Sequence, residues 1–207
     1  MYLTKKNNLM KKLLTLTLTA ILFVGISAVG KAQDSTSTKN KGKKITIVEY
    51  YDYECPACGY YYPFVKKLMK NYGDQINLKL HFYPLTSHQY GALAARAAQS
   101  AKNQGKFHEM HDMLFENQDR WAHSGNPTPI FINYARKLGL NIQEFKNDLN
   151  AAKTQKTVME SKQEGIRRGV HSTPTFFIEG DMLQPLPQTY KGFEQAVKSY
   201  LNEDAKG

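Results

Sequence analysis

Two cysteines separated by two residues constrain this chain more than any other feature. They lie in Tyr53-Glu54-Cys55-Pro56-Ala57-Cys58-Gly59, between a strand-like run and a helix-like run, and the 207 residues contain no other cysteine. Two thiolates cannot complete a four-thiolate zinc site. A disulfide closing so short a loop would stabilise a fold little, whereas a thiolate at a helix start is stabilised by unpaired backbone N–H groups. The spacing therefore predicts a reversible redox pair.

The first 32 residues are typical of an export signal. Four lysines precede an apolar run at residues 13–30, and Gly30-Lys31-Ala32 supplies the small-x-small pattern of a cleavage site. We therefore expect a cleaved signal peptide at residues 1–32. An uncleaved membrane anchor is the alternative, although threonines weaken the apolar run. Residues 33–44 are polar and predict a flexible leader.

The net charge of the full sequence overstates how basic the expected mature chain is. The formal net charge is +10, and the five lysines of residues 1–32 supply half of it. The remaining excess is spread along the chain without an Arg/Lys stripe, so we expect no nucleic-acid partner. The chain beyond the expected signal is long enough for one domain with a core of its own.

Residues 45–51 predict a strand that is buried on both faces, because they are β-branched, aromatic and almost continuously apolar. Glu49 is the exception. It is either a surface carboxylate or a buried acid near the cysteines, whose raised pKa would let it exchange a proton with the inner thiol. The pattern alone favours neither interpretation.

A helix is expected to begin at the cysteines, because Pro56 suits a first helical turn, and to end at Gly73 with a kink at Pro63. This places Cys55 at an exposed helix start and Cys58 one turn further in. Residues 76–83 alternate in polarity and predict a second strand, parallel to the first. Lys79 or His81 would then pair with Glu49 or lie in solvent.

Helical patterns extend from about residue 88 to residue 164 and form a block between the strands. One alanine-rich helix in it has a close-packing face. His108 and His111 are three residues apart, which would suit a metal site, but no third ligand is placed by spacing. A packed or surface pair is the favoured interpretation, and no metal site is predicted.

The last part of the chain predicts a short hairpin and a helix. Residues 175–178 read as a strand, Gly180-Asp181 as a turn, and Phe193, Val197 and Leu201 mark a C-terminal helix. Pro174 directly precedes the strand. It is either a cis proline or a trans loop proline.

These features together resemble the DsbA-like thiol:disulfide oxidoreductases. The resemblance rests on Asp52 through Cys58 after a buried strand, on the helical block, and on Gly169-Val170 leading to residues 173–178. It covers about residues 44–201. It implies an α/β, thioredoxin-like fold with a helical domain inserted between the second and third sheet strands. The expected thioredoxin-like parts are residues 45–87 and 166–203, and the expected inserted domain is residues 88–165.

The resemblance also implies roles for individual residues. Cys55 would be the exposed nucleophile and Cys58 the buried resolving cysteine. Pro174 would be cis, and the backbone of Thr173 would pair with an extended substrate segment. Glu49 matches the family's buried acid, a possible proton relay. The tyrosines near the motif would form a docking surface or belong to the core: Tyr51, Tyr53, Tyr60, Tyr61 and Tyr62.

The implied activity is the formation of disulfides in reduced or unfolded exported proteins. No cofactor is expected, a quinone-linked membrane oxidase would recycle the cysteines, and the protein would be a monomer in the periplasm or on the outer face of a bacterial membrane. Ala57 replaces the histidine of strongly oxidising members, which predicts a milder oxidant. The alternatives are a reductase or isomerase, and a Cu/Zn-binding module that uses Cys55, Cys58 and His171.

Overall fold

A computed structural model describes residues 44–203 of the chain. The expected signal peptide, and the expected leader as far as residue 43, lie outside the described residues. None of the helices between Lys44 and Glu203 has the length and apolar character that a membrane span requires.

The described residues form a mixed α/β fold in which helices flank a small sheet. The elements in chain order are β1 (Ile45–Tyr51), α1 (Pro56–Tyr72), β2 (Ile76–Phe82), α2 (Gly91–Asn103), α3 (Phe107–Glu116), α4 (Gln118–Ala122), α5 (Thr128–Lys137), α6 (Ile142–Asn150), α7 (Ala152–Arg167), β3 (Thr175–Ile178), β4 (Asp181–Met182) and α8 (Tyr190–Glu203).

The sheet has the strand order β2-β1-β3-β4. β1 runs parallel to β2 and antiparallel to β3, which in turn pairs antiparallel with β4. Because β1 has a partner on each edge and packs on both faces, it needs the continuous apolar run from which it was predicted. Ile45 and Ile47 pack with residues of α1 and α8, while Val48 and Tyr50 pack on the other face against Val170.

Helix α1 carries the cysteine pair at its beginning. Cys55 is the N-cap residue in an extended conformation and Pro56 is the first helical residue, where the missing proline N–H leaves no intrahelical bond unmade. Gly73 follows the last helical residue, as predicted, and its N–H donates to the carbonyl of Met69. Pro63 lies inside the helix, and the kink expected there stays a prediction.

Six helices, α2 to α7, lie between β2 and β3, which confirms the expected fold class. In α2 the small side chains are buried and allow α3, α6 and α7 to pack against the same helix. The short helix α4 was not predicted. The domain limits at residues 88 and 165 stay a prediction.

The hairpin near the end of the chain differs from the prediction by one residue. β3 has the predicted limits, but the turn is formed by Glu179 and Gly180, which both have positive φ (49° and 99°). Asp181 belongs to β4, where it pairs with Ile178. Glycine accepts this backbone conformation without a Cβ clash.

Candidate active site

The two cysteines lie side by side at the N-terminus of α1. The expected exposure of Cys55 was wrong, since only 7% of this residue is accessible to solvent. The loop before β3 covers it, and the Cys55 sulfur lies 3.4 Å from the carbonyl oxygen of Thr173, to which the thiol donates a hydrogen bond when it is protonated. Cys58 is completely buried, as a position one turn inside the helix predicts. Cys55 is therefore the more accessible sulfur of the pair.

The surroundings of Cys55 favour its thiolate. Its pKa is lowered from 9.0 to about 5, mainly by a hydrogen bond from the Cys58 thiol, with smaller contributions from the Thr173 side chain and from the backbone N–H groups of Cys58 and Ala57. These N–H groups belong to the first helical turn, where they have no intrahelical acceptor. At neutral pH the reduced site therefore holds a Cys55 thiolate.

Cys58 has the opposite tendency. Burial raises its pKa well above the ordinary value, and the neighbouring Cys55 thiolate raises it further. The backbone N–H of Asp52 donates to the Cys58 sulfur over 3.4 Å. Two adjacent thiols with pKa values shifted in opposite directions provide one nucleophile that is ionised at neutral pH and one thiol that retains its proton.

Glu49 lies on β1 between Leu80 of β2 and Phe176 of β3. Only 3% of it is accessible, so the alternative of a surface carboxylate was wrong. Burial raises its pKa from 4.5 to about 8. No ion pair among the described residues joins it to Lys79 or His81, and His81 contacts Glu164 over 3.3 Å instead. Its role as a proton relay stays a prediction.

Thr173 and Pro174 lie beside the cysteines at the start of β3. The peptide bond between them is cis, which decides between the two conformations that the sequence left open. Thr173 is buried, and its carbonyl oxygen lies 3.4 Å from the Cys55 sulfur. The role of both residues in binding a substrate stays a prediction.

A cleft of about 750 Å³ lies beside this loop. Tyr60 lines it and is 52% exposed, whereas Tyr51 and Tyr53 are core residues, so only part of the tyrosine cluster is available for docking. No lining residue of the cleft carries a formal charge: Ala57, Tyr60, Tyr61, Ser172, Thr173, Pro174, Thr175, Leu183, Gln184, Pro185, Leu186 and Gln188.

Sequence analysis missed Gln118 at the start of α4. Its side-chain amide donates to the carbonyl oxygens of Tyr53 (2.6 Å) and Cys55 (2.9 Å). The inserted helices therefore hold the loop that carries the first cysteine. No local pattern marks this glutamine, because the contact spans more than sixty residues of sequence.

Asp52 is a second residue whose role the sequence did not indicate, although it is part of the motif. Its buried carboxylate accepts hydrogen bonds from the backbone N–H groups of Glu54 and Leu85 and from His88. It thus joins the cysteine loop to the chain segment between β2 and α2.

The histidines considered as ligands do not gather around a common point. His111 is buried and its Nδ1 atom lies 2.9 Å from the Tyr53 hydroxyl, while His108 and His171 are exposed. Between Lys44 and Glu203, no three side chains of His, Cys, Asp or Glu are grouped as metal ligands would be. The favoured interpretation of His111 as a packed residue agrees with its contact to Tyr53.

Comparison with known proteins places this chain in a family. The family model named Thioredoxin matches residues 40–199. The chain belongs to the thioredoxin family. Among solved structures, a thioredoxin-like oxidoreductase from Silicibacter pomeroyi has 26% identity and a TM-score of 0.62, with 78% of this chain and 88% of that chain covered.

The fold within this family is DsbA-like. The oxidoreductase DsbA from Xylella fastidiosa superposes with a TM-score of 0.61 at 18% identity, covering 80% of this chain and 88% of that chain. This likeness confirms the thioredoxin-like fold that was predicted.

The sequence is also similar to part of much longer proteins. The Na(+)/H(+) antiporter NhaA 3 of Salinispora tropica is 36% identical over 137 residues, which are 66% of this chain and 20% of that protein. The chain thus spans about a fifth of the length of the curated relatives it matches. Antiport describes those proteins and is not transferred to this chain.

Proposed function

We propose that this chain is a thiol:disulfide oxidoreductase that forms disulfides in exported proteins. The observation that carries the proposal is the pairing of Cys55, a helix N-cap residue that favours its thiolate, with the buried thiol of Cys58. A structural disulfide has no need of such a difference between its two sulfurs, whereas an exchange reaction uses it directly.

The reaction has two exchange steps. A substrate thiolate attacks the Cys55 sulfur of the Cys55–Cys58 disulfide, so that a mixed disulfide forms and Cys58 leaves with the electron pair as a thiolate that takes up a proton. A second thiolate of the substrate then attacks the substrate sulfur of the mixed disulfide. Cys55 leaves as a thiolate, the substrate has lost two electrons, and the enzyme has gained them.

The direction follows from the stability of the reduced form. A Cys55 pKa of about 5 means that reduction yields a stabilised thiolate, which makes the disulfide oxidising. The value lies between about 3.5 for a strongly oxidising DsbA and about 7 for thioredoxin. Because Ala57 provides no side-chain donor, this intermediate value supports the expectation of a milder oxidant.

The substrates are reduced or unfolded exported proteins. An extended segment would pair with the backbone of Thr173 beside Pro174 and place its thiol over Cys55, with neighbouring side chains in the uncharged cleft. Recognition of main chain accounts for broad specificity. A quinone-linked membrane oxidase would restore the disulfide of the monomeric protein on the outer side of the membrane, and no bound cofactor takes part.

The experiment that tests this proposal is the equilibrium of the cysteine pair with glutathione, with Cys55→Ser as the inactive control. We expect a reduction potential between the approximately −120 mV of a strong oxidant and the approximately −200 mV of glutaredoxins. We also expect the oxidised protein to introduce disulfides into a reduced, unfolded substrate. A potential near about −270 mV would contradict the direction and favour a reductase.

A further inference from the structure

The backbone of Asp52 contacts both cysteines. Its carbonyl oxygen accepts a hydrogen bond from the Cys55 N–H over 3.2 Å, and its own N–H donates to the Cys58 sulfur over 3.4 Å. One peptide segment therefore sets the position of the helix start and provides a donor to the buried sulfur. The conformation of Asp52 controls both contacts.

The carboxylate of Asp52 fixes that conformation. Its side chain is inaccessible to solvent. One oxygen accepts from the Glu54 N–H over 2.9 Å, and the other accepts from the Leu85 N–H over 2.8 Å and lies 2.7 Å from His88 Nδ1. Because a carboxylate only accepts, the proton of this last bond is on Nδ1. A buried carboxylate is tolerated when such donors replace water.

Helix α2 leaves room for this carboxylate. It begins with Gly91, where an added Cβ atom would overlap the Oδ1 atom of Asp52. His88 closes the remaining side with 21% of its side chain accessible. The arrangement thus has a fully buried anchor, Asp52, and a partly exposed partner, His88, that is not part of the hydrophobic core.

We propose that the Asp52–His88 pair positions the Asp52 N–H to stabilise Cys58 as it leaves as a thiolate. The inference rests on the proposed function and adds a positioning pair to it. When a substrate thiolate attacks Cys55, the sulfur–sulfur bond breaks and its electron pair goes to Cys58. That charge develops on a fully buried sulfur, where a directed N–H donor has its greatest effect.

The Asp52 N–H also stabilises the reduced protein, in which the Cys58 sulfur accepts its hydrogen bond. A loosened Asp52 loop would therefore slow the first exchange step and shift the equilibrium towards the disulfide. His88 touches neither sulfur, so it acts through Asp52 as a positioning residue.

The test compares His88→Ala with His88→Asn, whose side-chain amide can replace the Nδ1 donor. The reaction is that of the oxidised protein with reduced glutathione, followed by stopped flow for the first step and at equilibrium for the potential. We expect His88→Ala to slow the first step about fivefold to tenfold. A tenfold change in the equilibrium constant would lower the reduction potential by about 30 mV. His88→Asn should restore most of both values.

A matched control is available in His81→Ala. His81 also contacts a carboxylate, that of Glu164, and its side chain is 23% accessible. Its ring packs against Tyr50, and it makes no hydrogen bond or ion pair to Asp52. This variant should keep the wild-type rate and potential within about twofold. Asp52→Asn, which places an amide against backbone donors, should reproduce the effect of His88→Ala.

The proposal is overturned if His88→Ala and Asp52→Asn change the free energy of unfolding but leave the exchange rate and the potential within twofold of wild type. That result would mean that Asp52 and His88 have a purely structural role. A wild-type protein that does not exchange with glutathione at all would refute the proposed function instead, so the two failures are distinguishable.

Discussion

The sulfur of Cys55 lies 3.4 Å from the carbonyl oxygen of Thr173, although 118 residues separate them in the chain. The contact joins the start of α1, which follows β1, to the loop before β3. β1 and β3 are adjacent strands of the sheet. It accounts for the low exposure of Cys55 and places the reactive sulfur against backbone with which an extended peptide would pair. Thr173 and Pro174 also line the cleft, so this loop borders both Cys55 and the cleft.

Substitution of the cysteines should separate their roles. Cys55→Ser should reduce disulfide exchange to the uncatalysed rate, because Cys58 is completely buried. Cys58→Ser should still react at Cys55 but retain the mixed disulfide, since no resolving thiol remains. Mass spectrometry after incubation with oxidised glutathione measures both outcomes. A stable glutathione adduct on Cys58 in Cys55→Ser would contradict the assignment.

The reactivity of reduced Cys55 should depend on pH with a midpoint near 5. Its pKa is lowered to about 5, so alkylation by iodoacetamide should rise through that pH and be constant from about pH 6.5 to 8. A lowered folded pKa also stabilises the fold above the unfolded thiol pKa of about 8.5, and this contribution is lost as the pH falls through 5. The free energy of unfolding of the reduced wild type should therefore exceed that of Cys55→Ser more at pH 8 than at pH 5. A midpoint near 8.5 would show that the helix start does not stabilise the thiolate.

The sequence predicted those features that depend on local pattern. The limits of β1 and β3 follow from β-branched and aromatic runs, and the end of α1 follows from Gly73. The cysteine pair at a helix start also needs only neighbouring residues to be recognised.

Features that depend on long-range packing were missed, wrong or left open by the local pattern. Thr173 covers the Cys55 sulfur, and the side-chain amide of Gln118 donates a hydrogen bond to the carbonyl oxygen of Cys55. The burial of Glu49 depends on β2 and β3, which pair with β1 on either side of it. Periodicity contains no information about these contacts, because each joins segments that are distant in sequence.

The buried acid should make the fold less stable as the pH rises. The pKa of Glu49 is raised from 4.5 to about 8. The stability that the protonated side chain contributes to the fold is therefore complete below pH 4.5 and is lost as the pH rises towards 8. Each pKa unit corresponds to about 1.36 kcal/mol. Relative to Glu49→Gln, the reduced wild type should lose a few kcal/mol of unfolding free energy between pH 4.5 and pH 8.

Urea unfolding at several pH values measures this difference. Because both proteins keep Cys55, its opposite pH dependence cancels from the comparison. Glu160→Gln, at an exposed position on α7, serves as the control and should follow the wild type. Parallel curves for wild type and Glu49→Gln would mean that Glu49 is not strongly desolvated.

The contact between Gly59 and Gln118 should appear as strong coupling between two substitutions. A Cβ atom on residue 59 would lie 2.5 Å from the Oε1 atom of Gln118 and would push its amide away from the carbonyls of Tyr53 and Cys55. Each lost hydrogen bond costs about 0.5–1.5 kcal/mol, whereas alanine in a helix is favoured over glycine by about 1 kcal/mol. Gly59→Ala should therefore destabilise the wild type by about 1 kcal/mol but stabilise Gln118→Ala.

A double-mutant cycle from urea unfolding of the four reduced proteins measures this change of sign. The expected coupling is about 2 kcal/mol, well above the roughly 0.5 kcal/mol within which independent substitutions add. The alkylation rate of Cys55 gives a second measurement, because a loosened loop aligns the first-turn N–H groups with the sulfur less often. Both single variants should shift the alkylation midpoint above pH 5. Additive free energies with an unchanged midpoint would mean that Gln118 fills space beside Gly59 without holding the cysteine loop.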